Sequence, residues 1–255
     1  MNYITSRNNE RIKNVARLKN TKDRCETGLF FIEGIHLAEE YLRLVGIPKE
    51  IYFTEKALSA YSDFIRPLPD DIKYQVADNV FEKISTESAP QGILCVCEQL
   101  SFQKALAKGG CLFLESLRDT GNLGTVIRTA VSLGIKSIVL SEDCADIYNP
   151  KTLRASMGAV FAANLIFTED FHASMEKAKA FGKVYATALH EDSLVLGNFK
   201  IFPEDSFVIG NEGKGVSEKT KECCDATVFI PMSGKTESLN ASAAASIIIW
   251  EMTRS

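Results

Sequence analysis

Residues 111–128 read CLFLESLRDTGNLGTVIR, an apolar run followed by a polar loop and an amphipathic segment. The apolar run from Cys111 to Glu115 is typical of a buried strand, and the spacing of apolar residues from Leu123 to Leu133 predicts a helix. Asn122, just before that helix, is a residue type that caps helix N-termini. Strand, loop and helix in this order form the repeating unit of α/β proteins.

The same alternation continues towards the end of the chain. Further strands are predicted for five short runs that are apolar or rich in β-branched residues: Ser137 to Leu140, Asn164 to Phe167, Val184 to Ala188, Ser206 to Gly210 and Thr227 to Ile230. Helical patterns occur between them at Asp170 to Phe181 and Ser217 to Cys224. The predicted fold class is therefore α/β with a doubly wound parallel sheet, whose ligands bind beyond the carboxyl ends of the strands.

A final helix is predicted from Leu239 to Met252, and apolar residues occupy nearly all of its faces. A helix with that pattern is buried on several sides. We therefore expect the core or a subunit interface to enclose it.

The first part of the chain is a shorter α/β stretch. Its predicted elements are helices over Asn9 to Leu18 and Ile35 to Arg43, and strands over Phe30 to Glu33, Glu50 to Phe53 and Ile93 to Cys97. The polar stretch from Gln99 to Gly110 is the best linker candidate. We predict a first domain over residues 1–98, a linker over 99–110 and a second domain over 111–255.

Composition is that of an ordinary globular protein. The 255 residues are enough for one large or two ordinary domains, and 45% of them are hydrophobic and 24% charged. No apolar run approaches the roughly 20 residues of a membrane span, and the polar N-terminus lacks the apolar core of a signal peptide. We expect a cytoplasmic protein with no membrane partner. The seven cysteines form no CxxC pair and the three histidines are scattered, so no metal site is expected.

Charge is unevenly distributed along the chain. The net charge of −4 argues against a protein that coats nucleic acid through overall positive charge. Residues 1–24 nevertheless hold seven basic residues against two acidic ones. Such a run forms either a solvated helix face or a patch that contacts phosphates, and both interpretations stay open.

Two stretches of the sequence resemble nucleotide-binding motifs without matching them. The run GKT at 234–236 imitates the end of a P-loop, but Phe229 occupies the position where a P-loop needs glycine, which disfavours an NTPase. The dinucleotide fingerprint GxGxxG is also absent, because the glycines of residues 210–215 stand in another order.

Three polar, glycine-containing loops accompany predicted strands: Arg118 to Arg128, Val208 to Gly215 and Ile230 to Asn240. In this order they resemble the signature motifs of the SpoU (TrmH) family of RNA ribose 2′-O-methyltransferases, within the SPOUT superfamily. The stretch Tyr148 to Phe161 is similar to the family's segment between the first and second motifs. Phe31 to Glu40 and Pro90 to Gly92 resemble the small RNA-substrate-binding domain that many members carry.

The resemblance implies a C-terminal trefoil-knotted, parallel-sheet methyltransferase domain preceded by a small α/β RNA-substrate-binding domain. It implies S-adenosyl-L-methionine as the cofactor, and a homodimer in which the apolar final helix meets a partner surface. By motif position, the cofactor-binding residues are Thr187, Ala188, Leu189, Gly210, Ile230, Met232 and Leu239.

The resemblance also implies an in-line methyl transfer to a ribose hydroxyl. In the family's proposed mechanism the arginine at the position of Arg128 activates that hydroxyl. Because arginine is a poor base, our hypothesis is that Arg128 clamps the adjacent phosphate and lowers the effective pKa of the hydroxyl. Asn122 would orient the ribose or Arg128, and Glu212 would position Arg128 or Asn240. Ser238 and Asn240 would complete the site.

Each of these side chains also has a structural interpretation when taken alone. Asn122, Ser238 or Asn240 can cap a helix, Arg128 can form a surface ion pair, and Glu212 can be a solvated turn residue. Their joint occurrence on three loops in the family's order favours the catalytic interpretation.

RNA is the expected partner, and the basic residues expected to face it are Arg7, Arg11, Lys13, Arg17, Arg118, Lys151 and Arg154. Ribosomal RNA of the large subunit is favoured over tRNA, because the first domain resembles that of members acting on ribosomal RNA. The alternatives are a tRNA methyltransferase and a non-catalytic, ribosome-associated RNA-binding protein. Thr120 stands where many members have proline, a minor departure. His36 is interpreted as structural, and the role of His190 is left open.

Overall fold

A computed structural model describes residues 2–102, 105–188, 192–234 and 238–254 of the chain. The strands are β1 (Asn2–Ile4), β2 (Leu29–Glu33), β3 (Glu50–Phe53), β4 (Lys73–Val76), β5 (Ile93–Glu98), β6 (Cys111–Leu114), β7 (Ser137–Leu140), β8 (Leu165–Phe167), β9 (Val184–Thr187), β10 (Leu194–Val195), β11 (Ser206–Ile209) and β12 (Ala226–Phe229). The α-helices are α1 (Glu10–Arg17), α2 (Thr21–Thr27), α3 (Ile35–Leu44), α4 (Glu55–Ala60), α5 (Ser62–Ile65), α6 (Asp78–Ile84), α7 (Thr120–Ser132), α8 (Pro150–Ser156), α9 (Phe171–Lys179), α10 (Glu218–Glu222) and α11 (Ala241–Thr253).

The described residues form two compact units. The first unit contains those of Met1–Leu100 and Tyr148–Phe161, and the second contains those of Ser101–Ile147 and Ala162–Ser255. None of the helices in the described ranges is long and apolar enough to cross a membrane.

The second unit is built on a seven-stranded sheet of order β10-β12-β9-β11-β6-β7-β8. Every strand pair in it is parallel, which confirms the predicted α/β class with a parallel sheet. The six predicted strands are all present, and β6 is buried along its whole length, as the continuous apolar runs of parallel sheets are. The sequence does not predict the edge strand β10, because its two residues are too few to show a period.

Strand order in this sheet does not follow chain order. β11 lies between β6 and β9, and β12 lies between β9 and β10. Since the strands are parallel, the loops that follow β6, β7, β9, β11 and β12 all leave the same edge of the sheet. The three motif-bearing loops are therefore brought to one edge.

The N-terminus of α7 differs from the sequence prediction. Asp119, not Asn122, is the N-cap, and its side chain accepts the backbone N–H of Asn122 over 2.7 Å. Asp and Asn cap equally well, so the earlier of the two residues can start the helix three positions sooner. The side chain of Asn122 is thereby free for another use.

The last helix, α11, begins directly after its N-cap Asn240. One face of α11 is buried, at Ala245, Ile248, Ile249 and Met252. On another face, 38% of Ile247 and 55% of Trp250 are exposed. Within the chain the helix is therefore covered less completely than its apolar composition predicts.

The first unit contains a five-stranded sheet of order β1-β4-β3-β5-β2. β4 pairs in parallel with β1 and β3, whereas β5 is antiparallel to β2 and β3. The five predicted elements of this region are present. Among the elements that the sequence does not predict are β1 and β4, which are short and lie at or beside the sheet edge.

The segment Tyr148–Phe161 groups with the first unit, although it follows the strands β6 and β7 of the second. Its aromatic residues explain this grouping: the ring centroids of Tyr148 and Phe30 are 4.5 Å apart, and those of Phe161 and Tyr41 are 5.3 Å apart. The predicted division, with domain limits at 98 and 111, places this segment in the second domain. In the structure the segment groups with the first unit, so each unit is made of two separate stretches of the chain. The division itself stays a prediction.

Candidate active site

A cavity of about 370 Å³ opens where β9, β11 and β12 end. Its walls come from the loops after these strands and from the start of α11. The lining residues are Thr187, Ala188, Ile209, Gly210, Asn211, Glu212, Gly213, Lys214, Gly215, Val228, Phe229, Ile230, Met232, Ser238, Leu239, Ala241 and Ala244. Most of these side chains are apolar, and the loops add backbone N–H and C=O groups. Small-molecule sites combine these two features within volumes of roughly 300–1,000 Å³.

The loop after β11 forms one wall of this cavity. Asn211 pairs with Gly215 through two backbone hydrogen bonds, and its Oδ1 accepts the N–H groups of Gly213 and Lys214 over 3.0 and 3.1 Å. A Cβ atom on Gly210 would lie 2.2 Å from the carbonyl carbon of Gly215. This narrow turn therefore requires glycine at position 210.

Glu212 joins this loop to the loop after β6. Its carboxylate accepts the backbone N–H groups of Arg118 and Asp119 over 3.3 and 3.0 Å, and the Nδ2 of Asn122 over 3.3 Å. Burial of the carboxyl raises its pKa, but hydrogen bonds from the backbone N–H of Glu212 itself, from those of Asp119 and Arg118, and from the side chain of Asn122 outweigh burial, so the pKa lies below its ordinary value. Glu212 is accordingly an anion at neutral pH.

Asn122 connects Glu212 to the last helix. Its Oδ1 accepts a hydrogen bond from Nδ2 of Asn240 over 3.0 Å. Oδ1 of Asn240 in turn accepts the N–H of Ser242 over 2.9 Å and so caps α11. Three loops that are far apart in the chain are thus fixed by one continuous series of hydrogen bonds, from Glu212 through Asn122 to Asn240. We call this series the carboxamide bridge.

Of the predicted catalytic residues, Asn122, Glu212 and Asn240 form the carboxamide bridge, and Arg128 and Ser238 lie apart from it. The sequence predicts that Glu212 positions Arg128 or Asn240; among the described residues it bonds neither, and it reaches Asn240 only through Asn122. Arg128 is exposed on α7 and forms no hydrogen bond or ion pair within the described ranges. Ser238 is exposed and lines the cavity.

The predicted cofactor residues surround the cavity. The six that the structure describes all line it: Thr187, Ala188, Gly210, Ile230, Met232 and Leu239. Leu189 lies outside the described residues, as does His190. Met232 and Leu239 are 39% and 37% exposed, large values for apolar side chains, so a ligand in the cavity would remove apolar surface from water.

The basic residues predicted near the N-terminus are mostly engaged with acidic neighbours. Arg11 pairs with Glu50 over 2.7 Å, Lys13 pairs with Glu10 over 2.6 Å, and Arg17 pairs with Asp23 over 2.8 Å. Arg7 is exposed, and its side chain has no such partner in the part of the chain that the structure describes. Arg24, from the same run, is buried and donates to the carbonyl groups of Leu18 and Lys19, which is a structural role.

The other predicted RNA-facing residues lie elsewhere. Arg154 pairs with Glu87 over 2.6 Å within the first unit, and Lys151 is exposed at the start of α8. Arg118 belongs to the second unit, where it pairs with Asp143 over 3.1 Å. No group of three or more histidine, cysteine or acidic side chains suited to a metal ion occurs among the residues that the structure covers.

Two polar residues at this sheet edge are absent from the sequence prediction. Asn211 organises the loop after β11, and Asp143, in the loop after β7, accepts hydrogen bonds from three side chains. Asn211 lies inside a motif recognised from the sequence, so its spacing to Gly213 could have indicated an Asx-turn. Asp143 lies outside the motifs, and only the fold brings it to this edge.

Comparison with known proteins agrees with this geometry. The model of the SpoU rRNA Methylase family matches residues 110–250, and that of the MRM3-like substrate binding domain matches residues 9–95. The chain is 33% identical to the 23S rRNA (guanosine(2553)-2′-O)-methyltransferase RlmP of Bacillus subtilis, over 99% of both proteins. It is 30% identical to the 23S rRNA (uridine(2479)-2′-O)-methyltransferase of Streptomyces viridochromogenes, over 98% of the chain and 91% of that protein.

A solved structure resembles the chain over almost its full length. The AdoMet-bound rRNA methyltransferase from Sinorhizobium meliloti matches with a TM-score of 0.84 at 28% identity, covering 99% of this chain and 97% of that one. The matched family residues include all three motif-bearing loops and the cavity that they line. The chain therefore belongs to the SpoU rRNA methylase family.

Proposed function

We propose that this protein transfers a methyl group from S-adenosylmethionine to a ribose 2′-hydroxyl of RNA, and that ribosomal RNA of the large subunit is its substrate. The observation that carries the proposal is the apolar cavity beside the carboxamide bridge, built from three loops of the family's motifs. The full-length relatives named above act on 23S rRNA, which favours ribosomal RNA over tRNA.

The cavity suits the cofactor. Its apolar walls at Ile230, Met232 and Leu239 would hold the adenine ring, and the backbone groups of the surrounding loops would bond the polar edge of that ring. When bound, S-adenosylmethionine supplies an electrophilic methyl group on a sulfonium. The charged side chains of Glu212 and Lys214 also line the cavity, on the loop after β11.

Arg128 is the residue that we assign to the RNA. It is exposed and has no partner within the described ranges, so its guanidinium keeps its donors for a phosphate. Arg128 lies six positions after Asn122 on α7, which is about 9 Å along the helix axis. Bound to the phosphate next to the target ribose, Arg128 would place its positive charge near the 2′-hydroxyl and favour loss of the hydroxyl proton to solvent, without acting as the base itself.

The carboxamide bridge keeps the site in one arrangement. Glu212 fixes the loop after β6 through two backbone N–H groups and holds the amide of Asn122 in one orientation. Asn240 fixes the start of α11 by accepting the backbone N–H of Ser242. Ser238, two residues before Asn240, offers an exposed hydroxyl at the cavity mouth to the ribose. Preorganised polar groups of this kind lower a reaction barrier because they need no rearrangement during the reaction.

The basic surface of the first unit would bind RNA phosphates. Exposed ion pairs such as Arg11 with Glu50 contribute only about 0–1 kcal/mol, so a phosphate can replace the carboxylate at little cost. Arg7, Lys13, Arg17, Lys151 and Arg154 are the other residues that we assign to this surface.

The assembly would be a homodimer formed through α11. Its exposed residues Ile247 and Trp250 lie three positions apart and so share one face of the helix. Apolar surface of this kind is more typical of an interface than of a solvated helix. The trefoil knot implied by the family resemblance is supported by the strand order, in which β11 and β12 insert between strands that precede them.

The proposal is tested by incubating the purified protein with S-adenosylmethionine labelled in the methyl group and with in vitro transcribed large-subunit rRNA. We expect label in the RNA at one nucleotide, at a position resistant to alkaline cleavage, which identifies a 2′-O-methyl group. An otherwise identical transcript with a 2′-deoxyribose at that nucleotide should accept no label.

Two results would overturn the assignment. Label in unmodified tRNA but not in rRNA would make the chain a tRNA methyltransferase. Tight rRNA binding without any label transfer would favour the non-catalytic RNA-binding protein.

A further inference from the structure

Asp143 occupies the centre of a second group of hydrogen bonds at the sheet edge of the candidate active site. It lies in the loop after β7, outside the three family motifs. Its Oδ2 accepts the hydroxyl of Ser116 over 2.6 Å and a guanidinium nitrogen of Arg118 over 3.1 Å, and its Oδ1 accepts the hydroxyl of Ser141 over 2.8 Å.

Ser116 has an unusual backbone conformation. Its φ of 55° lies in the left-handed region, which non-glycine residues rarely adopt. The two flanking loops hold it there: its N–H donates to the hydroxyl of Ser141 and its carbonyl accepts Nδ2 of Asn211, each over 2.8 Å. Strained residues of this kind occur where the surrounding structure fixes them, often near functional sites. The turn at Ser116 redirects the chain just before Arg118.

Hydrogen bonds hold both the backbone and the side chain of Arg118. Its backbone N–H donates to Glu212, and one guanidinium nitrogen donates to Asp143. The side chain is nevertheless 69% exposed. A guanidinium carries five N–H donors in a rigid fork, so most of its donors still face solvent among the residues that the structure describes.

The carboxyl of Asp143 is negatively charged at neutral pH, as its contact with the Arg118 guanidinium requires. Burial raises the pKa of its carboxyl, but the hydrogen bonds from Ser116, Ser141 and Arg118 lower it by more, so the pKa lies below its ordinary value. An ionised carboxylate next to an exposed guanidinium restricts the rotamers of the arginine.

We propose that Asp143 is a positioning residue that orients the Arg118 guanidinium towards a phosphate of the RNA substrate. The proposal deepens the proposed function and rests on it for the identity of the ligand. An arginine whose side chain is already ordered loses less entropy when it binds a phosphate. Asp143 would therefore strengthen RNA binding although it carries the same sign of charge as RNA.

The test compares Asp143→Asn with the wild-type protein on in vitro transcribed large-subunit rRNA. The substitution keeps the size of the side chain and removes its charge. We expect the Kd for RNA, from filter binding, and the KM for RNA to rise about two- to fivefold, the range of an exposed ion pair. The kcat and the Kd for S-adenosylmethionine should stay unchanged.

Glu142→Gln is the matched control. Glu142 is exposed beside Asp143 and forms no hydrogen bond or ion pair within the described ranges. Removing a negative charge near RNA strengthens binding by simple electrostatics. The control should therefore leave the Kd for RNA unchanged or lower it, whereas Asp143→Asn should raise it.

A double variant separates positioning from a general structural role. In an Arg118→Ala background, Asp143→Asn should cause no further rise in the Kd for RNA, because the residue it orients is absent. An equal rise in both backgrounds, or a fall in Kd in the wild-type background, would overturn the proposal. The filter-binding measurement needs no turnover, so a protein that binds RNA without methylating it would refute the proposed function and still test this inference.

Discussion

Asn240 donates a hydrogen bond from Nδ2 to Oδ1 of Asn122 over 3.0 Å, although 118 positions separate the two residues in the chain. In each of the two carboxamides, both the nitrogen and the oxygen form hydrogen bonds. Asn122 also donates to Glu212, and Asn240 also accepts the first N–H groups of α11. The loops after β6, β11 and β12 therefore depend on one another, and a change in any of them should affect all three.

Replacement of Asn122 by alanine tests this dependence. It removes the hydrogen bond to the Glu212 carboxylate and the bond from Asn240, and hydrogen bonds to charged groups contribute about 1.5–3 kcal/mol. We expect kcat for methyl transfer to fall at least about tenfold. The control is Asn198→Ala, an exposed asparagine whose side chain bonds nothing in the part of the structure described. Equal activity of both variants would show that the bridge is not needed.

Arg128→Ala should abolish most methyl transfer while leaving the fold and cofactor affinity intact. The side chain makes no hydrogen bond or ion pair among the described residues, so its removal should change the melting temperature little. Arg128→Lys should recover only part of the activity, because lysine keeps the charge but lacks the planar fork. Isothermal titration with S-adenosylmethionine provides the affinity; a large rise in Kd would mean that Arg128 supports the cofactor site instead.

The pH dependence of stability should report on Glu212. A carboxyl with a lower pKa in the folded than in the unfolded protein stabilises the fold above its unfolded pKa, ordinarily about 4.3. That contribution disappears as the pH falls through the folded pKa, and the pKa of Glu212 is lowered on folding. We expect the gap in melting temperature between wild type and Glu212→Gln to be present at pH 6 and to shrink below about pH 4. A gap that does not change with pH would contradict an ionic role.

The sequence is sufficient to predict the elements of the second unit apart from the two-residue edge strand β10. The runs that form β6, β7 and β11 are continuous and apolar because both faces of a parallel sheet are covered, and this pattern is readable without a structure. The polar loops can also be located from the sequence, because each one follows a predicted apolar strand. The family resemblance then supplies roles that spacing alone leaves open.

The partners of each polar side chain are not predictable to the same degree. From the sequence, Asn122 can cap α7 as well as serve the site, and Asp119 takes the capping place because both residue types cap well. Asp143 lies in no motif and reaches the site only because β7 pairs with β6. The grouping of Tyr148 with the first unit depends on its packing against Phe30, and these two residues are far apart in the chain.

The basic surface near the N-terminus should control RNA affinity through charge. Combined replacement of Arg7, Arg11 and Lys13 by alanine should weaken rRNA binding. It should also flatten the slope of log K against log salt by about 0.7–0.9 for each phosphate that the variant no longer neutralises. Arg11 also lies over the ring of Tyr74, 4.7 Å from its centroid, so Arg7→Ala alone is the cleaner variant. Filter binding across a salt series gives the slopes, and an unchanged slope would exclude the surface from RNA binding.

The exposed face of α11 should control oligomeric state. Ile247→Glu combined with Trp250→Glu places two like charges at the proposed dimer interface, where 38% and 55% of the native side chains are exposed in the single chain. We expect sedimentation to show a dimer for wild type and a monomer for the variant, with the melting temperature of the monomer reduced because a partner no longer stabilises it. Phe181→Glu is the matched control, since Phe181 is 40% exposed and lies outside α11, just after α9. A wild-type protein that sediments as a monomer, or a variant that remains dimeric, would show that α11 has another role.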